Sequence, residues 1–375
     1  LTNFAKGFGY NLYWSPDSKK IAIIDQAMKI KMIDASNGSV TDIDQALRFM
    51  HGGCEGFSVS WSGDSRWFTY NRDLDNYHNA VYIYDAQNKK LQQVTDGFYN
   101  CDNPVFDVEG KYLFLTTNQN FNPYYSDIDN SFIYGNSTQL AAISLKKSTP
   151  SVLFPKNDTV AVKMDDAKKD DKKKDSTKKS TAVDIDLDGM QARMVLLPMP
   201  AGNYGNLAAA KGKIIYQKGP NLGSDRDARP ALKYYDIDKR EEKEISENIN
   251  RHWLSANGNK ILVRRGNDYD ILKPEEKQKF EKPLRLNDME MMVDPVAEWK
   301  ELFNDAWRME RDYFYDPHMH GVNWNTVKTR YSKMLEGAIT REEVDFIIGE
   351  MIGELNASHT YHGGGDVERQ ENKSV

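Results

Sequence analysis

The stretch with the clearest chemical potential is "GELNASHTYHGGGD", residues 353–366. His359 and His362 lie three residues apart, Ser358 precedes the first, and Asp366 follows three glycines. Imidazole and carboxylate groups can ligate a metal, and a histidine can also act as a general base. The spacing leaves three interpretations open: a metal site, a catalytic histidine, or a polar segment at the end of a helix.

A metal site has the weakest support of the three. Helical zinc motifs place two histidines four residues apart with a glutamate between them, whereas His359 and His362 are three apart without one. A second pair, His318 and His320, is separated by one residue in a segment that reads as a loop, which is a weak signal by itself. No metal site is therefore predicted.

A general base needs a nucleophile within hydrogen-bond reach and a third group that orients the base. Ser358 directly precedes His359, and adjacent side chains of an extended segment point to opposite faces. Ser358 is therefore a poor nucleophile for His359 and a better polar partner. No G-x-S-x-G motif occurs in the chain, so the sequence identifies no nucleophile.

Three amphipathic helices are predicted to precede this segment, because apolar residues recur there at helical spacing. Each helix has a start signal in the sequence: Asp294 followed by Pro295, then Asn323, then the capping box of Thr340 and Glu343. The third helix is expected to end near Leu355. Ser358 and His359 would then lie just beyond its C-terminus.

The longer N-terminal part contains an internal repeat of about 45 residues. Its copies begin at residues 12, 59, 104, 206 and 252: "LYWSPDSKKIAII", "VSWSGDSRWFTYN", "PVFDVEGKYLFLT", "NLAAAKGKIIYQK" and "HWLSANGNKILVR". Each copy reads as strand, turn and strand, and a further strand and turn follow. Short strands at this period are typical of propeller blades, whereas a simple β-sandwich would not repeat its turns at fixed spacing.

The predicted fold is therefore mainly β: a β-propeller of four-stranded blades over residues 1–286, then a small all-α subdomain over residues 287–375. Five blade-like units could close a ring alone, or belong to a larger ring truncated at its front. The interval between the third and fourth copies is long enough for a missing copy plus an insertion. Within it, the Lys- and Asp-rich run 163–180 is predicted to be a solvated loop.

The amino-acid composition limits the classes of binding partner that can be expected. The 375 residues carry a formal charge of -6, which gives no reason to expect nucleic acid or an anionic membrane surface. No apolar run approaches the roughly 18 residues that span a bilayer. Cys54 and Cys101 have no zinc-ligand spacing and support no disulfide framework.

Four features follow one another in a recognisable order: propeller repeats, "DGMQARMVLLPMPAGNYGNL", the helix "EWKELFNDAWRMERDYFYDP" and "ELNASHTYHGGGD". In this order the sequence resembles the tricorn proteases, serine peptidases related to the C-terminal-processing peptidases, along nearly its whole length. The most specific parts are "DAWRMERDYFYDP" with the following "GVNW", and "ELNASHTY".

The resemblance implies a serine peptidase that hydrolyses oligopeptides without a metal or organic cofactor, with the propeller gating the substrate. It implies that His359 is the general base and that Ser358 is its partner in a catalytic tetrad, while His362 has no catalytic counterpart. The family continues into a PDZ domain and a subdomain that carries the nucleophile. The nucleophile is thus expected outside these residues, and the 375-residue chain alone is expected to be inactive.

The resemblance also implies a homo-oligomer in the cytoplasm. A periplasmic location stays open, because the sequence begins at Leu1 without a visible natural N-terminus. The alternative function is a non-catalytic propeller that serves as a binding scaffold, with the helices as a docking module.

Overall fold

A computed structural model describes residues 2, 9–48, 57–120, 123–155, 182–225, 227–286 and 288–365. The chain divides into two compact units: the first ends at Leu284, and the helices belong to the second, which continues from Arg285. Strands build the first unit and helices the second. Within the described ranges, no helix has both the length and the apolar character that crossing a bilayer requires.

In its described residues the first unit contains five antiparallel sheets of three or four strands, which follow one another along the chain, and one separate two-stranded hairpin. The first sheet consists of β1 (Tyr13–Trp14), β2 (Lys20–Ile24), β3 (Lys29–Asp34) and β4 (Val40–Gln45). The second consists of β5 (Ser60–Trp61), β6 (Trp67–Asp73), β7 (Asn79–Asp85) and β8 (Lys90–Gln93). In both sheets the spatial order of the strands is their order in the chain.

The third sheet consists of β9 (Cys101–Phe106), β10 (Tyr112–Thr117), β13 (Gln139–Ser144) and β14 (Met194–Leu196). A separate hairpin lies between β10 and β13 in the chain and is formed by β11 (Tyr124–Ser126) and β12 (Ser131–Ile133). The fourth consists of β15 (Asn203–Ala210), β16 (Lys213–Gly219), β17 (Ala231–Asp236) and β18 (Glu241–Ser246). The fifth has three strands, β19 (Arg251–Leu254), β20 (Ile261–Arg265) and β21 (Asp268–Leu272).

The repeated turn is built by its own side chains. In the first sheet Ser15 Oγ donates to Asp17 Oδ1 at 2.7 Å and accepts from the backbone N–H of Lys20 at 2.9 Å. Ser62 and Asp64 repeat this arrangement in the second sheet. Since these hydrogen bonds involve residues only two to five positions apart, the turn could be predicted from the local sequence.

Successive sheets pack face to face through apolar side chains. Ile30 of the first sheet and Phe68 of the second share one core, and Ile83 of the second and Leu113 of the third share the next. Two further cores join the third sheet to the fourth and the fourth to the fifth. A middle strand such as β10 is therefore buried on both faces, with Leu113 in one core and Phe114 in the next, which explains its apolar run from Tyr112 to Leu115.

The described residues of the long interval between the third and fourth copies contain no further repeat. They supply the rest of the third sheet and the β11–β12 hairpin, and β14 pairs with β13 as the fourth strand. The Lys- and Asp-rich run 163–180 and Cys54 lie outside the described residues.

The second unit contains α1 (Pro295–Tyr313), α2 (Trp324–Leu335) and α3 (Arg341–Gly353). The side chains predicted to cap them do so: Asp294, Asn323, and Thr340 with Glu343 in a capping box. Helix α3 ends at Gly353, slightly before the predicted Leu355, although Leu355 is fully buried in the same core.

The indoles of Trp307 and Trp324 join α1 to the start of α2. Each Nε1–H donates to the backbone carbonyl oxygen of the other residue at 2.9 Å. Both side chains are buried beside Phe303 and Val344 in one core. The apolar face predicted for α1 is thus core in its central part, while Val296 at its start is exposed.

Candidate functional site

The segment that carries Ser358 and His359 starts from a firmly anchored helix end. Glu354 follows α3, and its Oε1 accepts hydrogen bonds from Arg330 Nη1 at 2.7 Å and from Tyr331 Oη at 2.8 Å. Both donors belong to α2. The start of the segment is therefore held between two helices before the chain leaves the core.

His320 anchors the next residue of this segment, Leu355. Its Nδ1 lies 2.8 Å from the carbonyl oxygen of Leu355, so Nδ1 must carry the proton because a carbonyl only accepts. With Nδ1 protonated, Nε2 of the neutral ring accepts from Tyr315 Oη. The loop histidine thus has a structural contact 35 positions along the chain, which the local sequence did not reveal.

Asp316 orders the loop that presents His320. Its carboxylate accepts the backbone N–H groups of His318 and His320, each at 2.9 Å. Both hydrogen bonds lower the pKa of Asp316, and the one from His318 has the larger effect. The carboxylate therefore acts here as a turn-forming acceptor.

Beyond Leu355 the backbone turns sharply. Asn356 has a φ of 47° and His359 a φ of 61°, both in the left-handed region. Asparagine adopts this conformation readily, but for histidine it is less common, and such conformations concentrate at functional sites. The assumption of an extended segment at His359 is therefore wrong, and the argument from opposite faces does not hold there.

Ser358 and His359 are both exposed. The His359 Nδ1 lies 3.3 Å from Tyr361 Oη, and the two rings meet edge to face with their centroids 6.1 Å apart. Within the described part of the chain, His359 Nε2 has no hydrogen-bond partner. A histidine in this state can accept a proton from a nucleophile that is brought to it.

His362 lies against α3 and does not join His359. A Cβ atom on Gly349 would lie only 2.3 Å from His362 Nε2, so the glycine leaves the room that this ring occupies. Farther on, Gly365 lies beside Arg341 at the start of α3. The chain thus returns along the helix after His359.

The described residues contain no group of three or more His, Cys, Asp or Glu side chains that could hold a metal. His318 and His320 belong to the loop ordered by Asp316, and His362 packs against Gly349. Asp366, the remaining ligand considered from the sequence, lies outside the described residues.

The propeller contains cavities that the sequence did not predict. One of about 730 Å³ is lined by residues in or beside the first strand of all five sheets, among them Tyr13, Val59, Val105, Leu207 and Trp253. Such positions come together only when the sheets are arranged around one another. The repeat predicted the sheets but not which side chains face this space.

His252 on β19 also lines this cavity. Its side chain is buried, its Nδ1 has no hydrogen-bond partner among the described residues, and burial lowers the pKa of His252 to about 4. A buried imidazole of this kind stays neutral near physiological pH. It therefore adds a neutral polar group, rather than a positive charge, to the cavity wall.

Comparison with known families identifies both units. The sequence model of the tricorn protease second beta propeller domain matches residues 1–275. The chain belongs to the tricorn protease family. The model of the tricorn protease C1 domain matches residues 295–353, which include all three helices of the second unit.

Individual tricorn relatives are distant but match most of the chain. Tricorn protease homolog 1 of Streptomyces coelicolor is 24% identical over 94% of this chain and 34% of its own length. The tricorn protease of Thermoplasma volcanium is 25% identical over 94% of this chain and 33% of its own length. The chain therefore spans about a third of the length of these relatives.

A crystal structure of the tricorn protease matches with a TM-score of 0.77 and 20% sequence identity, over 95% of this chain and 34% of that one. This match shows the fold. The predicted fold class, mainly β with a propeller and a small helical part, is confirmed. The match to the C1 domain ends at residue 353, so it does not include Ser358 or His359.

Proposed function

We propose that this chain forms two parts of a tricorn-type serine peptidase that hydrolyses oligopeptides. The propeller gates the substrate, and the helical unit supplies His359 as the general base. The observation that carries the proposal is the exposed Ser358-His359 pair directly after an anchored helix end, with a left-handed backbone at His359. The similarity to tricorn proteases over most of the chain supports the reaction class.

In the proposed reaction His359 accepts the proton of a nucleophilic serine as that serine attacks the scissile carbonyl. It then donates the proton to the leaving amine, and an acyl-enzyme forms that water hydrolyses. Ser358 is the polar partner of His359 in the tetrad. The reaction as proposed needs no metal or organic cofactor.

We place the nucleophile outside these 375 residues. The tricorn relatives are about three times as long as the part matched here. In the described residues, the side chain that contacts His359 is that of Tyr361 and not that of a serine. The 375-residue chain alone is then inactive, and the intact protein is the peptidase. By the same likeness we place the intact protein in the cytoplasm as a homo-oligomer.

The decisive experiment is peptidase assay of the intact protein with His359→Ala. We expect kcat/KM for an unstructured oligopeptide to fall by about a thousandfold, because general-base catalysis contributes effects of this size. His318→Ala is the matched control, since His318 is an exposed loop histidine of the same unit and its variant should retain full activity.

Undiminished turnover by the His359→Ala variant would remove His359 from the mechanism. If the unaltered intact protein binds oligopeptides but hydrolyses none, the non-catalytic propeller scaffold becomes the better description. Binding and hydrolysis must therefore be measured separately on the same preparation.

A further inference from the structure

A second cavity of the propeller, of about 700 Å³, is lined mainly by residues with polar side chains. Its lining comes from four of the five sheets and the residues beside them, and side-chain amides and hydroxyls predominate, including Asn79, Asn103, Thr116, Asn206 and Asn250. The volume lies within the range of small-ligand pockets. Among the described residues that line it, Asp102 is the one with a charged side chain.

Asp102, on β9, is held in place by two amides of the neighbouring sheet. Its Oδ1 accepts hydrogen bonds from Asn71 Nδ2 at 3.0 Å and from Asn79 Nδ2 at 2.7 Å. Its backbone carbonyl accepts from Thr116 Oγ1 at 3.0 Å. The carboxyl group is therefore positioned by β6, β7 and β10 together, and two amides already occupy one of its oxygens.

One acceptor atom of Asp102 has no donor among the described residues. It is Oδ2, because both amides donate to Oδ1. A carboxylate oxygen without a donor is available to accept a hydrogen bond from a ligand. Burial also raises the pKa of Asp102, since the lining provides no cation to offset the loss of water.

The chemistry that suits such a site is a cation that only donates hydrogen bonds. A primary ammonium group carries three N–H donors and no acceptor, so it can donate a charge-assisted hydrogen bond to the free carboxylate oxygen of Asp102. A metal ion fits less well, because the described residues hold no cluster of three metal-binding side chains.

We propose that this cavity binds the amino-terminal end of an oligopeptide, with the α-ammonium group paired to Asp102. The surrounding Asn and Gln side chains both donate and accept, which matches the N–H and C=O groups of the peptide backbone next to that terminus. A lysine side chain suits the cavity less, because its four methylene groups would lie among amides and hydroxyls. The choice of a peptide as ligand rests on the proposed function.

The test is equilibrium binding, by calorimetry, of short peptides to the full 375-residue chain. The probes are a five-residue peptide without Lys or Arg, the same peptide acetylated at its N-terminus, and the acetylated peptide with one Lys. We expect acetylation to weaken binding by at least about tenfold, because it removes the charged hydrogen bond to Asp102. Adding the Lys should not restore it.

The isosteric variant Asp102→Asn should bind the free and acetylated peptides equally. Asp75→Asn removes the same charge from an exposed position outside the cavity and should keep the preference for the free terminus. Equal binding of both peptides to the unaltered chain would overturn the proposal, and this arm needs no variant to fold. Recovery of binding by the Lys peptide would also overturn it, in favour of a lysine side chain as the ligand.

This experiment is separable from the test of the peptidase. Loss of hydrolysis in the His359→Ala protein with an unchanged preference for free N-termini would support both proposals. A preference for free N-termini in an intact protein that hydrolyses no peptide would contradict the proposed peptidase function and support the proposed binding site.

Discussion

In the propeller, the polar groups of a cavity are held by several neighbouring strands, whereas in the helical unit Ser358 and His359 extend beyond the last helix. Asp102 is positioned by Asn71 and Asn79 of the adjacent sheet. In the part of the chain that the structure describes, the His359 side chain contacts the exposed Tyr361. A binding site can therefore be complete within the propeller, while a catalytic site at His359 needs groups that the described residues of the helical unit do not supply.

The largest expected effect tests whether the two units are separately stable. Phe303→Ala removes a fully buried ring from the helical core and should destabilise that unit by about 3–5 kcal/mol. Urea denaturation of the 375-residue chain should then show the helical circular-dichroism signal lost first, while the sheet signal persists. A single shared transition would contradict the separate stability of the two units, because it would mean that they unfold together.

The exposed Phe346 on α3 provides the matched control, since it lies in the same unit but outside the core. Phe346→Ala should shift the helical transition by no more than about 0.5 kcal/mol. A loss as large as that of Phe303→Ala would show that Phe346 is covered in the folded protein.

The next effect is a pH dependence confined to the propeller. The pKa of His252 is about 4 in the folded chain and near 6.5 when unfolded. Because the unfolded state binds the proton more readily, the stability from neutral His252 is complete above about pH 6.5 and is lost as the pH falls towards 4. At about pH 5 the loss is roughly 2 kcal/mol.

The measurement compares unfolding of the unaltered chain and His252→Phe at about pH 8 and about pH 5. Phenylalanine keeps a buried ring but cannot bind a proton, so the variant should lose roughly 2 kcal/mol less between the two pH values. Equal losses in both proteins would show that His252 is not the group responsible. Because His252 lies on β19, the difference should appear in the sheet signal.

The smallest effect concerns the anchor of the Ser358-His359 segment. His320→Ala removes the donor to the Leu355 carbonyl and should destabilise the helical unit by about 1 kcal/mol. Hydrogen exchange of the amides after α3 should rise at the same time. His318→Ala should leave both unchanged, since the Asp316 interaction with His318 uses its backbone N–H. An effect of His318→Ala as large as that of His320→Ala would mean that the side-chain contact is not the anchor.

Much of the fold was predictable because its signals are local. The Ser15-Asp17 turn, the Asp294 cap and the Thr340–Glu343 capping box each depend on side chains within a few residues of the backbone they satisfy. Strand β14 was not predicted in the third sheet, because its pairing with β13 joins segments separated by a long insertion. Neither strand carries a sequence signal for the other.

The candidate sites divide in the same way. The exposure of His359 after the third helix follows from the end of an apolar stripe, and the family resemblance selected it from the other histidines. The role of His320 could not be predicted, because its partner Leu355 lies on a different helix end. The sequence carried no signal for Asp102, because a lone Asp before Asn103 resembles any polar strand end.

By itself, the sequence determined the repeated strands, the capped helices and the order of the two units, because hydrogen-bonding periods and turn chemistry act over a few residues. Only the tertiary structure decided which polar groups meet. The two amides on Asp102 come from strands 23 and 31 positions away, and His320 reaches Leu355 across 35 positions. Such contacts depend on how sheets and helices pack, which no short segment of the chain encodes.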